Sequence, residues 1–269
     1  MPHASTGVEI RELSSPADLA ALTRVFDDVW RPDPSDRPVS TDMLRALAHA
    51  GNYVAGAYVG DRLAGGSVGF FAAPAGETLH SHITGVARAG RGHNVGHALK
   101  LHQREWAAER GLARITWTFD PLVARNAYFN IAKLGAAPSE YLRDFYGDIH
   151  DEINAGDESD RLLLTWALDA TPPGETAETA HDLLEAGAHL AIDGPDDDPK
   201  AVDGGDAAML VVPVPRDIEA MRRSNPVAAS RWRRALREAL TPAFADGPPT
   251  HTRFLRSGHY VITTAASAG

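Results

Sequence analysis

A strand, a glycine-containing turn and an amphipathic helix follow one another without a gap between Leu79 and Gly111. "LHSHITGVA" alternates as a strand, and the following turn, "RGHNVG", holds two glycines and an asparagine. One face of the helix carries Val95, Ala98, Leu99, His102 and Trp106. The first N–H groups of a helix have no partner inside it and lie at the positive end of its dipole, so this turn favours a phosphate site. The alternative is an ordinary solvated turn.

The surrounding sequence predicts an α+β fold around one mixed sheet. Strand and helix patterns occur in the order β, α, α, β, β, β, α, β, α, β, β between residues 7 and 169. Residues 1–168 are predicted to form the main domain. Residues 169–206 are rich in Thr, Pro, Gly and acidic residues and are predicted to be a linker. Residues 207–269 are predicted to be a small C-terminal α/β appendage, because about 60 residues are marginal for an independent domain.

Composition narrows the class of function. The chain has 269 residues, no cysteine and a formal net charge of −10. Thiolate catalysis, disulfides and cysteine-ligated zinc are excluded, and the negative charge opposes binding to nucleic acid or anionic lipid. No signal-peptide pattern and no run of about 18 apolar residues is present, so a cytoplasmic protein is predicted. The predicted partner is a small molecule, and a homodimer is left open.

The run from "HITGVARAGRGHNVGHALK" through "RNAYFNIAKLGA" resembles the GNAT superfamily of N-acyltransferases. The acyl-CoA signature of that family is Arg or Gln, two residues, Gly, one residue, then Gly or Ala. Arg91, Asn94 and Gly96 fall on its three constrained positions. Asn94 departs from the usual glycine, but asparagine is the next most tolerant residue of a left-handed backbone. The resemblance covers residues 7–168, is strongest over 79–147, and looks like a bacterial subgroup with a C-terminal extension.

The resemblance implies a GNAT-like mixed central sheet flanked by helices, with acetyl-CoA or another acyl-CoA as co-substrate. The acyl-CoA would lie in a V-shaped cleft between splayed fourth and fifth strands. Backbone groups at Val86 would pair with the pantetheine arm, and Arg88 and Asn126 would add polar contacts. The residues expected to offer backbone N–H groups to the pyrophosphate are Arg91, Gly92, His93, Asn94, Val95, Gly96 and His97.

Candidate catalytic residues follow from the same resemblance. His82 lies in the fourth strand where many relatives place a glutamate, and histidine ordinarily titrates near neutral pH, as suits a base. Asp120 ends the fifth strand, where it would steer an ammonium or begin a turn. The usual tyrosine that protonates the thiolate is replaced by Ile131. Tyr128 is the nearest candidate on that helix, with Tyr141, Tyr146 or water as alternatives.

The predicted function is acyl-CoA-dependent transfer of an acetyl or succinyl group to the amine of a small molecule such as an amino acid, by direct attack on the thioester. The missing tyrosine motivates an alternative, a CoA-binding sensor or interaction module without catalysis. A third hypothesis is a metal enzyme that uses His80 and His82, which share one face of a strand. No metal is predicted. The basic run "RWRRALR" is predicted to bury Trp232, Leu236 and Leu240 and to leave its arginines exposed or paired on a solvated face, with Arg234 placed to pair with Glu238.

Overall fold

The computed structural model describes residues 7–32, 37–147, 156–171, 174 and 177–264, which divide into two compact units. The first unit holds residues 7–117 and 167–169. The second holds residues 118–147, 156–166 and the described residues from 170 onward. The predicted domain boundary at residue 168 is therefore corrected. Residues that follow the fifth strand group with the C-terminal region, because the contacts of Asp120 are made there.

The described part of the first unit contains five strands and three α-helices. The strands are β1 (Val8–Glu12), β2 (Tyr53–Val59), β3 (Arg62–Ala72), β4 (Thr78–Val86) and β5 (Arg114–Phe119), whose last two residues belong to the second unit. The helices are α1 (Pro16–Trp30), α2 (Thr41–His49) and α3 (Val95–Glu109). Ser15 and Ser40 cap α1 and α2 by accepting N–H groups from the first helical turns.

These strands form a mixed sheet in the order β1-β2-β3-β4-β5. The strands from β1 to β4 each pair antiparallel with the next, whereas β4 and β5 run parallel. Two parallel neighbours need a crossover, which α3 supplies. The predicted order of elements and the mixed sheet are confirmed.

Helices cover both faces of this sheet, because adjacent strand residues point to opposite sides. A Cβ atom added to Gly65 would come within 2.9 Å of Val95 in α3. One added to Gly66 would come within 2.2 Å of Leu22 in α1. Glycine at these positions therefore lets both helices approach the sheet closely. The core under α1 and α2 consists of Leu13, Leu19, Leu22, Phe26, Val39, Leu44, Val54, Val68 and Ile83.

The second unit is built from short elements. Its described helices are α4 (Ala124–Ala127), a π-helix (Tyr128–Lys133), α5 (Ala180–Glu185), α6 (Ile218–Ser224) and α7 (Pro226–Leu240). Its strands are β6 (Ala137–Leu142), β7 (Arg161–Ala167), β8 (His189–Leu190), β9 (Ile192–Asp193), β10 (Lys200–Ala201), β11 (Met209–Pro213), β12 (His251–Leu255) and β13 (His259–Thr263). β6 pairs with β7, and a four-stranded sheet has the order β12-β13-β11-β8.

The region predicted as a linker, residues 169–206, contains ordered elements that belong to this second unit. Thr179 and Asp182 form a capping box at the start of α5, and Leu183 is buried with Val211 of β11. β8 pairs in parallel with β11. The linker prediction is therefore wrong for residues 180–201. Strands of two residues show no periodicity in a sequence, so composition alone was misleading there.

Candidate functional site

The strands β4 and β5 diverge in the middle of β4. They pair over Thr78–His80 and Arg114–Thr116, and in the described chain the ladder goes no further along β4. β4 continues to Val86, which pairs with Gly65 of β3 on its other side. The backbone of β4 beyond His80 thus has no β5 partner, and an opening forms between the two strands. This divergence corresponds to the V-shaped cleft that the resemblance to the GNAT superfamily implies.

A β-bulge in β4 lies at the apex of this opening. Gly69 of β3 pairs with Ser81 and Val68 pairs with Ile83, so His82 is the extra residue and is skipped by the ladder. Bulges of this kind redirect a side chain and free backbone groups next to active sites. His82 is exposed, and its Nε2 lies 3.4 Å from the carbonyl oxygen of Pro38. The role of His82 as a base stays a prediction.

His80 precedes the bulge and behaves differently. Its Nδ1 lies 3.1 Å from the Thr116 hydroxyl, and the ring is half-buried beside Phe70. Burial lowers the pKa of His80 to about 4, with smaller contributions from His82 and Lys100. His80 is therefore neutral at physiological pH and does not act as a cation there.

The turn between β4 and α3 has the backbone that the motif requires. Gly92 has φ 82° and Asn94 has φ 56°, both in the left-handed region. Asn94 precedes α3 but its side chain does not cap the helix. The N–H groups of Val95 and Gly96 at the start of α3 have no carbonyl acceptor four residues earlier within the helix. The N–H groups of Arg91 and His93, which were predicted to serve the pyrophosphate, instead donate to the carbonyl oxygens of Arg88 and Gly90 within the turn. Arg91, Gly92, His93 and Asn94 are all exposed.

The remaining predicted cofactor residues are placed as follows. The side chain of Val95 is buried, so only its backbone can serve a ligand, and Gly96 and His97 are half-buried. Val86 is half-buried and Arg88 is exposed. Asn126 is exposed on α4 in the second unit. Their contacts with acyl-CoA stay predictions.

A buried lysine behind the apex was missed by sequence reasoning. Lys100 of α3 is 4% exposed, and its Nζ donates to Ser81 Oγ at 2.8 Å and to Gln103 Oε1 at 3.4 Å. The same nitrogen lies 3.9 Å from the centre of the Trp117 ring. Among the described residues no carboxylate forms an ion pair with Lys100. Burial therefore lowers the pKa of this lysine to about 7.

Replacing Lys100 by Met should stabilise the protein near neutral pH. The folded-state pKa of about 7 lies below the usual 10.5, so the unfolded chain binds more protons between these values. Stability of the wild type then rises with pH across this window, and each unit of pKa difference corresponds to about 1.4 kcal/mol. Urea unfolding from pH 7 to 10 should show that rise in the wild type and a flatter profile in Lys100→Met. If stability depended on pH equally in both proteins, the pKa of Lys100 would not be lowered in the folded state.

The structure corrects the interpretation of Asp120. Its carboxylate accepts from Arg222 at 2.6 Å and from Arg233 at 3.0 Å, and all three side chains are buried. Burial alone would raise the pKa of Asp120, but Arg233 and Arg222 outweigh it and hold the pKa well below its usual range. Both oxygens are occupied, so the arrangement does not support steering of an ammonium. Asp120 ties the end of β5 to α6 and α7 within the second unit.

The prediction of a solvated face for the arginines of "RWRRALR" is wrong for Arg233 and Arg237, which are paired but largely buried. Trp232, Leu236 and Leu240 are buried as predicted. Arg233 is 1% exposed and also binds Asp157, while Arg237 binds Glu158 and Asp160. Buried guanidinium groups require such partners, and these lie on segments distant in sequence. We refer to Asp120, Asp157, Asp160, Arg222, Arg233 and Arg237 as the buried ion cluster.

The tyrosine candidates fall into distinct environments. Tyr141 donates its hydroxyl to Asp160, and burial raises its pKa above the usual value, so its proton is held within the buried ion cluster. Tyr146 is exposed, and its hydroxyl lies 3.0 Å from Thr118 Oγ1. Tyr128 begins the π-helix, where Arg256 lies 5.3 Å from the centre of its ring. Ile131 is buried. The role of Tyr128 stays a prediction.

No group of three or more His, Asp or Glu side chains is arranged to hold a metal ion in the described part of the chain. Within the same residues, no helix is both long and apolar enough to span a lipid bilayer.

Comparison with known proteins shows what part of this chain is similar to. Residues 3–129 match the family model described as an acetyltransferase (GNAT) domain. No curated protein matches the chain. Similar solved structures include YncA of Salmonella typhimurium with acetyl-CoA, at 18% identity over 63% of this chain and 99% of that one, with a TM-score of 0.47.

Two further solved structures are similar to this chain. The ribosomal-protein-S18-alanine N-acetyltransferase of Escherichia coli is 14% identical over 63% of this chain and 99% of its own, with a TM-score of 0.47. The aminoglycoside 6'-N-acetyltransferase of Enterococcus faecium is 15% identical over 61% and 99%, with a TM-score of 0.46. Residues 3–129, a little under half of the chain, are therefore similar to a GNAT acetyltransferase domain.

Proposed function

We propose that this protein is an acetyltransferase that transfers the acetyl group of acetyl-CoA to the amine of a small molecule such as an amino acid. The observation that carries the proposal is the opening between β4 and β5, which lies at the bulge of His82 and is followed directly by the exposed turn at the start of α3. One stretch of chain would thus supply both a place for the thioester of acetyl-CoA and a site for its anionic diphosphate.

Binding would rest on the backbone. The diphosphate of acetyl-CoA would accept N–H groups from the turn at Gly92–Gly96, where the helix dipole favours negative charge. Arg88 and Arg91 would add charge from the surface. The pantetheine amides would pair with the free edge of β4 up to Val86, as an extended peptide adds to the edge of a sheet.

Chemistry would follow by direct attack. The neutral amine adds to the thioester carbonyl carbon, the C–S bond breaks, and the coenzyme leaves as a thiolate that takes up a proton. His82 would accept the proton that the amine loses. Since a thioester is already activated, holding the amine close to the carbonyl carbon supplies much of the acceleration.

A single set of experiments tests this function. Isothermal titration with acetyl-CoA, succinyl-CoA and free coenzyme A should give binding that weakens with salt. Release of free thiol, followed with a panel of amino acids, polyamines and aminoglycosides, should depend on one class of amine. Binding of acetyl-CoA without amine-dependent thiol release from any class would contradict the transferase proposal.

Replacing Gly96 by Ala should weaken acetyl-CoA binding without destabilising the fold. A Cβ atom there would meet only Val86, at 3.6 Å, which is ordinary contact. Alanine is better than glycine inside a helix by about 1 kcal/mol, so stability should hold or rise. The added methyl would occupy space along the free edge of β4, and we expect the Kd for acetyl-CoA to rise about tenfold, which corresponds to about 1.4 kcal/mol.

The matched control for this change is Gly92→Ala. Gly92 has φ 82°, so an alanine there is strained and should lower stability as well as affinity. Calorimetry of both variants, with thermal unfolding in parallel, separates the two effects. An unchanged Kd in Gly96→Ala would place the ligand away from this turn.

A further inference from the structure

Lys100 and Ser81 occupy the apex of the opening between β4 and β5. Ser81 directly follows His80, the last β4 residue paired with β5, and Trp117 directly follows Thr116, the last β5 residue paired with β4. The Lys100 ammonium contacts both, through a hydrogen bond to Ser81 and over the ring of Trp117. The lysine therefore lies behind the point at which the two strands separate.

Hydrogen bonds fix the direction in which a proton can move through this group. Lys100 donates to the Ser81 oxygen, so the Ser81 hydroxyl must direct its own hydrogen elsewhere. Among the described residues no acceptor receives that hydrogen, although Ser81 is only 3% exposed. Gln103 holds the lysine from the other side and donates in turn to Ser67, which bonds Thr84. These bonds hold the Lys100 ammonium in place, and the Ser81 hydroxyl keeps a hydrogen that it can donate.

The tyrosine that usually protonates the departing thiolate is also replaced in this chain. The position where relatives carry a tyrosine holds Ile131, which is buried, and Tyr141 is engaged with Asp160. We infer that Ser81 protonates the coenzyme A thiolate and that Lys100 is the positioning residue that replaces the proton of Ser81. This inference rests on the proposed acetyl transfer.

The proton balance is as follows. As the amine nitrogen bonds to the carbonyl carbon and the C–S bond breaks, the sulfur takes the Ser81 hydroxyl proton. Ser81 Oγ takes a proton from the Lys100 ammonium, which becomes a neutral amine. The proton released by the substrate amine leaves through His82 to solvent, and Lys100 regains a proton from solvent after the products depart.

The acidity of the Lys100 ammonium suits the delivery of a proton to the thiolate. The pKa of Lys100, lowered to about 7 by burial, makes the ammonium a stronger acid than a coenzyme thiol of pKa about 8.5. Proton transfer toward the thiolate is then downhill. The titratable group that faces Lys100 from β4 is His80, and its pKa, lowered to about 4, keeps it neutral above pH 5. Its other contacts, Gln103 of α3 and Trp117 of β5, are uncharged.

The test compares two acetyl donors in wild type, Lys100→Met and Lys100→Arg, with the amine that gives the fastest thiol release. Acetyl-CoA has a basic thiolate that needs a proton, whereas the acetyl thioester of 5-thio-2-nitrobenzoate leaves as a stable anion. With acetyl-CoA, both variants should lose about 100-fold or more in kcat, the range of general acid catalysis, and little in KM. With the aryl thioester the loss should be less than about fivefold. Arginine keeps the charge but cannot release its proton.

Ser81→Ala should follow the same pattern as Lys100→Met. The wild type should also lose activity as the pH rises above about 7, and this fall should be absent in Lys100→Met. Equal losses with both donors, or no loss with acetyl-CoA, would overturn the inference. Thermal unfolding and acetyl-CoA titration show whether each variant is folded and binds.

Failure of the proposed function would be visible separately, as absence of turnover in the wild type. In that case the ultraviolet absorbance of the thiolate in bound coenzyme A, titrated with pH, still tests the contact. The thiol pKa of the bound coenzyme should differ between wild type and Lys100→Met. Identical titration curves would show that neither Ser81 nor Lys100 contacts the sulfur.

Discussion

Asp120→Ala should lower the free energy of unfolding of the second unit by about 3–5 kcal/mol, as expected when one partner of a buried ion pair is removed. Arg222 and Arg233 would lose the two Asp120 oxygens as acceptors while remaining buried, although each would keep its ion pair with Asp157. The N–H of Leu122, which Asp120 also accepts, would lose its bond. Urea unfolding followed by circular dichroism measures the loss.

A surface pair of the same unit is the matched control. Arg125 and Glu219 form two hydrogen bonds at 2.6 Å, but the Arg125 side chain is 67% exposed. Arg125→Ala should therefore change stability by less than about 1 kcal/mol. A similarly small change for Asp120→Ala would show that the buried ion cluster is dispensable for the fold.

The pH dependence of this effect has a definite sign. The pKa of Asp120 is held below its usual range by Arg233 and Arg222, so its stabilising contribution is complete above the unfolded-state pKa near 3.9. It is lost only as the pH falls toward the folded-state value. The stability difference between wild type and Asp120→Ala should therefore stay constant from pH 7 to about 5 and shrink below about 4.

Local signals in the sequence predicted the first half of the fold. Ser15 and Ser40 stand immediately before apolar helical patterns, and both cap helices in the structure. The glycine and asparagine of "RGHNVG" predicted a left-handed turn before α3, and Gly92 and Asn94 adopt it. In each case the physical cause acts within a few residues, so a single sequence contains it.

The buried ion cluster could not be predicted in the same way. Helical spacing shows that Arg233 and Arg237 flank the stripe of Trp232 and Leu236, but a flanking arginine is ordinarily solvated. Its burial depends on Asp120 and Asp160, which lie 113 and 77 residues away in the chain. Burial of arginine is a property of tertiary structure, and nothing adjacent in sequence indicates it.

Lys100 is an intermediate case. Gly96, Lys100, Gln103 and Ala107 are spaced by four, three and four residues, so they form a row on α3 next to the predicted apolar face. All of these residues except Lys100 are uncharged, and this composition favours burial of the row. The partners Ser81 and Trp117 are on two other strands, and only the fold brings them to the lysine.

His82→Gln should reduce kcat/KM for acetyl transfer by about 100-fold, within the range for removal of a general base. Nε2 of His82 faces the Pro38 carbonyl at 3.4 Å, and a carbonyl only accepts, so the ring proton belongs on Nε2 in that bond. Nδ1 is then the nitrogen that accepts a proton from the amine. Glutamine keeps the length and polarity of the side chain but cannot take up a proton. Steady-state kinetics with saturating acetyl-CoA measures the effect.

The loss should depend on how readily the acceptor gives up its proton. An amine that is already neutral at the assay pH needs less help from a base, so His82→Gln should lose much less activity with hydroxylamine than with an alkylamine of high pKa. His49→Gln is the matched control, since His49 is an exposed histidine at the end of α2 outside the β4–β5 opening. It should keep wild-type rates. An equal loss with both amines would mean that the bulge at His82 orients the thioester, and that the amine proton leaves through water without passing through the imidazole.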